Sequence, residues 1–229
     1  MKKIITIASL ALVLSNAVFG QRPQSAQGGN SQRGTATTAA NAQAPKEEPT
    51  PRVNNNIASR NIVPESAVVT NHTVIINGKA VPYKATAGTL PVWDEEGKTL
   101  AGLFYTYYER TDVSNKDSRP LVISFNGGPG SASVWMHIAY TGPVVLNIDD
   151  EGYPIQPYGY KDNNTSILDV ADVVMMDPVG TGLSVPIGEA KGSDFWGVDQ
   201  DIRSISLFIM QFLKEHGRLN SPKYILGES

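Results

Sequence analysis

A serine with glycine and glutamate before it closes the sequence, and its setting suits nucleophilic catalysis. The last residues read YILGES, an apolar run that leads to Gly227, Glu228 and Ser229. A serine attacks acyl carbon atoms when a sharp strand-to-helix turn exposes its hydroxyl. That turn usually has a second glycine two residues after the serine, so the motif here is incomplete. Ser229 is therefore a candidate nucleophile that needs support from other segments.

A glycine-rich loop supplies that support. The segment NGGPGSAS runs from Asn126 to Ser133 directly after an apolar run. Consecutive glycines allow a backbone to turn sharply and to bring its N–H groups close to a ligand. We predict a helix from Ser131, whose N-terminal end would favour negative charge. Backbone donors held in this way suit an oxyanion that develops in a transition state.

Phosphate binding is the rival interpretation of the glycines. A P-loop needs Lys-Ser or Lys-Thr after its last glycine, whereas Gly130 precedes Ser131 and Ala132. The segment GTGLSV at 180–185 approaches a dinucleotide-binding fingerprint, but Val185 replaces its third glycine. The motifs therefore favour acyl transfer over nucleotide binding.

Three apolar segments predict the strands that carry these loops. They are LVISF (121–125), DVVMMD (172–177) and KYILG (223–227), and each is apolar on both faces, as buried parallel strands are. We predict a helix between Ser193 and Gly217, with Asp194 at its start and these apolar positions: Val198, Ile202, Ile205, Ile209 and Phe212. Alternating strands and helices indicate a parallel α/β sheet, whose sites gather at the carboxyl ends of its strands.

Earlier segments predict antiparallel strands. Asn77-Gly78 lies between two β-rich runs and is a strong signal for a two-residue hairpin turn. A second hairpin is expected to turn at Glu96-Gly97. The predicted fold class is α/β, with antiparallel N-terminal strands leading into a mainly parallel sheet.

The N-terminal part divides into three ranges. Lys2 and Lys3 precede an apolar run and then small residues, so residues 1–20 are expected to be a signal peptide cleaved near Gly20. Residues 21–60 are polar and predict a disordered linker, and residues 61–229 form the folded part. We therefore expect a secreted or periplasmic protein without a membrane span in its mature form.

Composition excludes several functions. The formal net charge is −3 and basic residues form no stripe, which argues against nucleic-acid binding. The sequence contains no cysteine, so disulfides and thiolate metal sites are excluded. No spacing typical of metal ligands occurs, and no cofactor is expected. We interpret the acidic cluster Asp149, Asp150 and Glu151 as part of a solvent-exposed turn. We interpret Asp177 as a structural hydrogen-bonding group.

Three motifs resemble, in their order along the chain, the serine carboxypeptidase family of α/β-hydrolases. They are NGGPGSAS, MDPVGTGLS and FLKEHGRLNSPKYILGES. The resemblance covers residues 121–229, and more loosely the strands from about Ile62. It implies that Ser229 is the nucleophile and that the Gly128 N–H donates to the oxyanion. It also implies that Asn126, Gly127 and Glu228 bind the free C-terminal carboxylate of a peptide substrate.

The resemblance implies an incomplete α/β-hydrolase domain and a serine-type carboxypeptidase that forms an acyl-enzyme. In this fold the catalytic Asp and His follow the serine along the chain, so His72, His137 and His216 are not expected to be the base. We expect the 229-residue chain to be the front portion of a longer enzyme, and to be inactive and poorly folded alone. The alternatives are an esterase or acyltransferase of the same fold, or a non-catalytic binding or surface protein.

One departure from the family concerns pH. Tyr140 occupies the position at which the family has a glutamate beside the carboxylate-binding residues. Two carboxyls that share a proton work best in acid, whereas a tyrosine beside one carboxylate titrates differently. We therefore expect a pH optimum nearer neutral than the family's acidic one, or a weaker preference for free C-termini. A pH–rate profile that peaks below about pH 5 would contradict the first expectation.

Overall fold

The structure, a computed structural model, describes residues 63–228. The predicted signal peptide (1–20), the predicted linker (21–60) and Ser229 lie outside the described residues and stay predictions. Within 63–228, no helix is long and apolar enough to cross a membrane.

Nine strands and one long helix make up the described chain. The strands are β1 (Ser66–Ile76), β2 (Lys79–Trp93), β3 (Thr99–Arg110), β4 (Leu121–Asn126), β5 (Val144–Leu146), β6 (Tyr160–Asp162), β7 (Asp172–Met176), β8 (Val185–Pro186) and β9 (Lys223–Glu228), and the helix is α1 (Val198–Glu215). The main sheet has the order β1-β2-β3-β7-β4-β9, with β8 beside β3, while β5 and β6 form a separate hairpin.

The antiparallel start of the sheet follows from two turns. Asn77 (φ 50°) and Gly78 (φ 74°) both have the left-handed conformation that a type I′ hairpin requires. In the second turn Gly97 (φ 83°) donates its N–H to the carbonyl oxygen of Asp94 at 3.2 Å. Both predicted hairpins are confirmed. The parallel part is also confirmed, because β4 pairs in parallel with β7 and with β9.

Apolar layers cover both faces of the sheet. On one face Phe208 and Phe212 of α1 pack against Tyr105 and Tyr107 of β3. On the other face Leu168 lies in a second cluster with residues of β1, β4 and β7. The central strands β4 and β7 are therefore buried from both sides, which explains their uninterrupted apolar sequences.

The helix differs from its prediction in start and orientation. It begins at Val198, and Asp194 lies in the preceding 3₁₀ turn, Gly192–Phe195. Two of the apolar positions that predicted the helix, Val198 and Ile202, are 77% and 59% exposed and lie outside its buried face. The buried face is centred on Phe208 and Phe212, and Ile202 lies about a quarter turn from Phe212 around the helix.

The third predicted buried strand is not buried. In β9, Tyr224 and Ile225 are 58% and 69% exposed. The reason is its place at the end of the described strand order, where β4 is its neighbour and α1 packs on the β2–β3 side. Within residues 63–228, burial therefore does not explain the apolar sequence of β9.

A buried ionic network connects the sheet to the segment after α1. Arg218 is fully buried and its Nη1 donates to Asp172 Oδ2 and to the Tyr107 hydroxyl, both at 2.6 Å. Arg119 Nε donates to the other oxygen of Asp172 at 2.8 Å. Such a network is costly to break because its remaining members would be buried without partners.

Candidate active site

Asn126 and Glu228 lie side by side at the carboxyl ends of β4 and β9. The parallel register pairs these two residues directly. Asn126 Nδ2 donates to Glu228 Oε2 at 3.0 Å, and Asn126 Oδ1 accepts from the Met136 N–H at 3.1 Å. Asn126 is 2% exposed, so these contacts fix its amide. The structure therefore brings together two of the residues predicted to bind substrate.

The glycine-rich loop begins at the same place. Gly128 and Gly130 have φ values of 131° and 98°, which side chains rarely adopt. A Cβ on Gly128 would also lie 3.2 Å from the Ser131 nitrogen. The Ser131 N–H donates to the carbonyl oxygen of Gly127 at 3.3 Å and narrows the turn. Glycine is thus required here by the loop's conformation, as the sequence predicted.

The helix after the loop begins later than predicted. The first helical residue is Val134 rather than Ser131, and Met136–Thr141 forms a π-helical segment. The helix starts later because Ser133 makes hydrogen bonds to another segment. Its N–H donates to Asp177 Oδ1, and its hydroxyl donates to the backbone oxygen of Met176. The prediction of a helix starting at Ser131 is therefore wrong by three residues.

Two cavities open beside the loop. A cavity of about 440 Å³ is lined by Asn126, Gly127 and Glu228, among others. A second, of about 580 Å³, has Trp196 and Asp201 in its walls, and both cavities share Pro129 and Gly130. Burial raises the pKa of Asp201, a residue that the sequence analysis did not single out. The predicted site residues therefore border open space in which a ligand could lie.

Ser229 follows Glu228 directly in the sequence but lies outside the described residues. Its role as nucleophile, and that of the Gly128 N–H as oxyanion donor, stay predictions. What the structure adds is the position of the strand that leads to Ser229, next to the glycine-rich loop.

Tyr140 lies in the π-helical segment that follows the loop. Its side chain is 60% exposed, and its backbone oxygen accepts from Asn163 Nδ2 at 2.9 Å. Within residues 63–228, no hydrogen bond joins the Tyr140 side chain to Asn126 or Glu228. The predicted effect of Tyr140 on pH dependence stays a prediction.

The histidines have packing roles. His137 Nε2 lies 2.6 Å from the Tyr108 hydroxyl, and burial lowers the pKa of His137. His216 packs on Phe212, with ring centroids 4.3 Å apart, and burial lowers the pKa of His216 to about 4. His72 stacks on Tyr83 in the first hairpin. All three pack against neighbouring aromatic side chains. That none of them is the base stays a prediction.

The carboxylates that the sequence analysis set aside also have structural partners. Asp149 Oδ1 accepts from the N–H groups of Glu151 and Tyr153 at 3.1 and 2.8 Å, which is a turn. Asp177 accepts two backbone N–H groups at the end of β7. No cluster of His, Asp or Glu among the described residues could hold a metal ion. The contact between Ser133 and Asp177 could not be predicted from the sequence, although Ser133 lies at the end of the glycine-rich loop.

Comparisons with known proteins identify relatives of this chain. A family model described as serine carboxypeptidase matches residues 76–229. Pheromone-processing carboxypeptidase KEX1 of Saccharomyces cerevisiae is 28% identical over 128 residues, which cover 55% of this chain and 16% of that protein. Serine carboxypeptidase-like 31 of Arabidopsis thaliana is 27% identical over 175 residues, covering 72% of this chain and 32% of that protein.

Two further matches extend the comparison. Serine carboxypeptidase S10 family member 1 of Dictyostelium discoideum is 31% identical over 135 residues, covering 57% of this chain and 29% of that protein. The crystal structure of KEX1(delta)p, a prohormone-processing carboxypeptidase from Saccharomyces cerevisiae, superposes with a TM-score of 0.51 at 24% identity, covering 63% of this chain and 30% of that one. This likeness shows a shared fold, and the chain spans less than a third of each of these relatives.

Proposed function

The chain belongs to the serine carboxypeptidase family, and from that premise we propose that the full-length protein removes residues from the free C-termini of peptides. The contact between Asn126 and Glu228, which both line the 440 Å³ cavity, carries this proposal. It gives the chain a polar pair beside the predicted nucleophile, at the carboxyl edge where such sheets hold their sites.

The proposed reaction uses an acyl-enzyme. The Ser229 hydroxyl attacks the carbonyl carbon of the last peptide bond and loses its proton to a general base. The Gly128 N–H donates to the oxyanion of the tetrahedral intermediate. The C–N bond then breaks, the amine leaves with a proton, and water hydrolyses the acyl-enzyme in a second step.

Asn126, Gly127 and Glu228 would select the substrate. A terminal carboxylate can accept a hydrogen bond from the Asn126 amide, and from Glu228 when Glu228 is protonated. Because Asn126 is buried and its amide oxygen is held by the Met136 N–H, its donor side is directed at Glu228 before substrate arrives. Such preorganisation lowers the entropy lost on binding.

We also propose that the protein acts outside the cytoplasm, in a secreted or periplasmic location. Support comes from the sequence of residues 1–20, where two lysines precede an apolar run and small residues.

A pair of peptides tests the proposed activity. One peptide has a free C-terminus and the other is its C-terminal amide, and the loss of one residue is followed by mass spectrometry with the full-length protein. We expect cleavage of the acid and little cleavage of the amide. Equal hydrolysis of an acid and of an ester without a carboxylate would favour the esterase alternative. No reaction and no labelling by a fluorophosphonate would favour a non-catalytic protein.

Replacing Asn126 by alanine is expected to lower kcat/KM for a free-acid peptide about 10- to 100-fold, because a hydrogen bond to a charged group is worth roughly 1.5–3 kcal/mol. The same variant should hydrolyse an ester that lacks the carboxylate at nearly the wild-type rate. Asn164→Ala is the matched control, because Asn164 is exposed. Equal losses on both substrates would contradict a role in carboxylate recognition.

A further inference from the structure

A single buried carboxylate connects the glycine-rich loop to the loop after β7. Asp177 is 9% exposed, and its Oδ1 accepts from the Ser133 N–H at 2.9 Å. Its Oδ2 accepts from the Leu183 N–H at 3.2 Å. Burial raises the pKa of Asp177, and the two backbone N–H groups act in the opposite direction. Asp177 therefore holds two loops together through backbone atoms.

Ser133 closes the glycine-rich loop on itself. Its hydroxyl donates to the carbonyl oxygen of Met176, and the Ser133 Oγ also accepts from the Asn126 N–H at 3.3 Å. Asn126 and Ser133 are the two ends of the segment that contains Gly128. Both ends are thus fixed to each other and to the end of β7.

The segment after β7 holds the backbone of Asp177 and limits the space beside its carboxylate. The Ser184 hydroxyl donates to the backbone oxygen of Asp177 at 2.6 Å, and accepts from the Phe104 N–H at 2.8 Å. A Cβ on Gly182 would lie 1.9 Å from Asp177 Oδ2 and 3.0 Å from the Ala132 Cβ. Any side chain at position 182 would therefore collide with the carboxylate.

We infer that Asp177 and Ser133 are positioning residues for the proposed reaction, which hold the loop so that the Gly128 N–H meets the oxyanion. The inference rests on the proposed function. An oxyanion donor works because it is oriented before the charge develops, and loss of one donor typically costs about 10²- to 10³-fold in kcat. A displacement of the loop by about 1 Å can cost roughly 10²-fold.

The test is Asp177→Asn in the full-length protein. An asparagine oxygen can accept one of the two N–H groups, while its NH₂ faces the other. We expect kcat for a free-acid peptide to fall about 10- to 100-fold, with KM changed less than about threefold. The inhibition constant of a peptide aldehyde should rise by the same factor as kcat falls, because its tetrahedral adduct uses the same donors. The inhibition constant of the product amino acid, which forms no adduct, should stay nearly unchanged.

A second variant keeps the carboxylate. Gly182→Ala forces Asp177 to move, and it should also weaken aldehyde inhibition and leave product inhibition unchanged. Gly188→Ala is the matched control, because Gly188 (φ +67°) has a left-handed backbone like Gly182 (φ +50°) but no atom within 4 Å of an added Cβ. The control should retain the wild-type ratio of the two inhibition constants.

Two results would overturn the inference. One is an unchanged kcat in both variants. The other is a loss in which aldehyde and product inhibition weaken equally, as expected from general destabilisation. If the wild-type protein neither cleaves the peptide nor binds the aldehyde, the proposed function fails, and the inference fails with it.

Discussion

Replacing Ser229 by alanine is expected to lower kcat for a free-acid peptide by roughly 10⁴- to 10⁶-fold, as loss of the nucleophile does in serine hydrolases. Alanine has no hydroxyl to form the acyl bond, so no covalent intermediate can form. KM should change much less, because Asn126 and Glu228 remain to bind the carboxylate. The measurement is steady-state hydrolysis of one peptide by the full-length protein and its variant.

A matched control variant, Ser114→Ala, shows whether a Ser-to-Ala change at an exposed position away from the site lowers kcat. Ser114 is exposed and lies in the loop between β3 and β4, away from the carboxyl ends of the parallel strands. It should keep the wild-type kcat. A Ser229→Ala protein that retains more than a few per cent of wild-type activity would rule out Ser229 as the nucleophile.

The second large effect concerns stability. Replacing Arg218 by leucine should lower the free energy of unfolding by about 3–5 kcal/mol, the usual cost of removing one partner of a buried ion pair. The change removes the donors to Asp172, Tyr107 and Ser221, together with those to the backbone oxygens of Arg119 and Pro120. Asp172 is 1% exposed, so water cannot readily replace these hydrogen bonds.

Urea unfolding of the full-length protein measures the effect. Arg203→Leu is the control, because Arg203 and Glu95 form an exposed pair at 3.3 Å and such pairs contribute less than about 1 kcal/mol. Arg218→Lys should recover little of the loss, because an ammonium group cannot reproduce the planar fork of donors. A loss below about 1 kcal/mol for Arg218→Leu would show that the network is not important for stability.

Sequence patterns predicted the local parts of this fold well. Asn77-Gly78 predicted its hairpin because few other residue pairs adopt two consecutive left-handed conformations. The apolar segments of β4 and β7 predicted buried strands because parallel strands covered on both faces need apolar side chains throughout. Asn126 and Glu228 were predicted as site residues from the resemblance to the serine carboxypeptidase family and not from a strand pattern, and the hydrogen bond between them was not predicted.

Other features depend on tertiary contacts that a local pattern does not contain. Val198 and Ile202 match a helical period but are exposed, whereas packing on β3 buries the predicted Phe212 together with Phe208, which was not predicted. The apolar sequence of β9 could not reveal which strands would flank it. The contact between Asp177 and Ser133 joins residues 44 apart in sequence, and only the sheet order brings them together.

The role of Ser229 as nucleophile can be tested by labelling the full-length protein with a fluorophosphonate and locating the adduct by mass spectrometry. We expect one adduct, on Ser229, in the folded protein and none when the protein is denatured before labelling. An unlabelled Ser229 in a folded protein, or an adduct on a different serine, would contradict the assignment of Ser229 as the nucleophile of a serine carboxypeptidase.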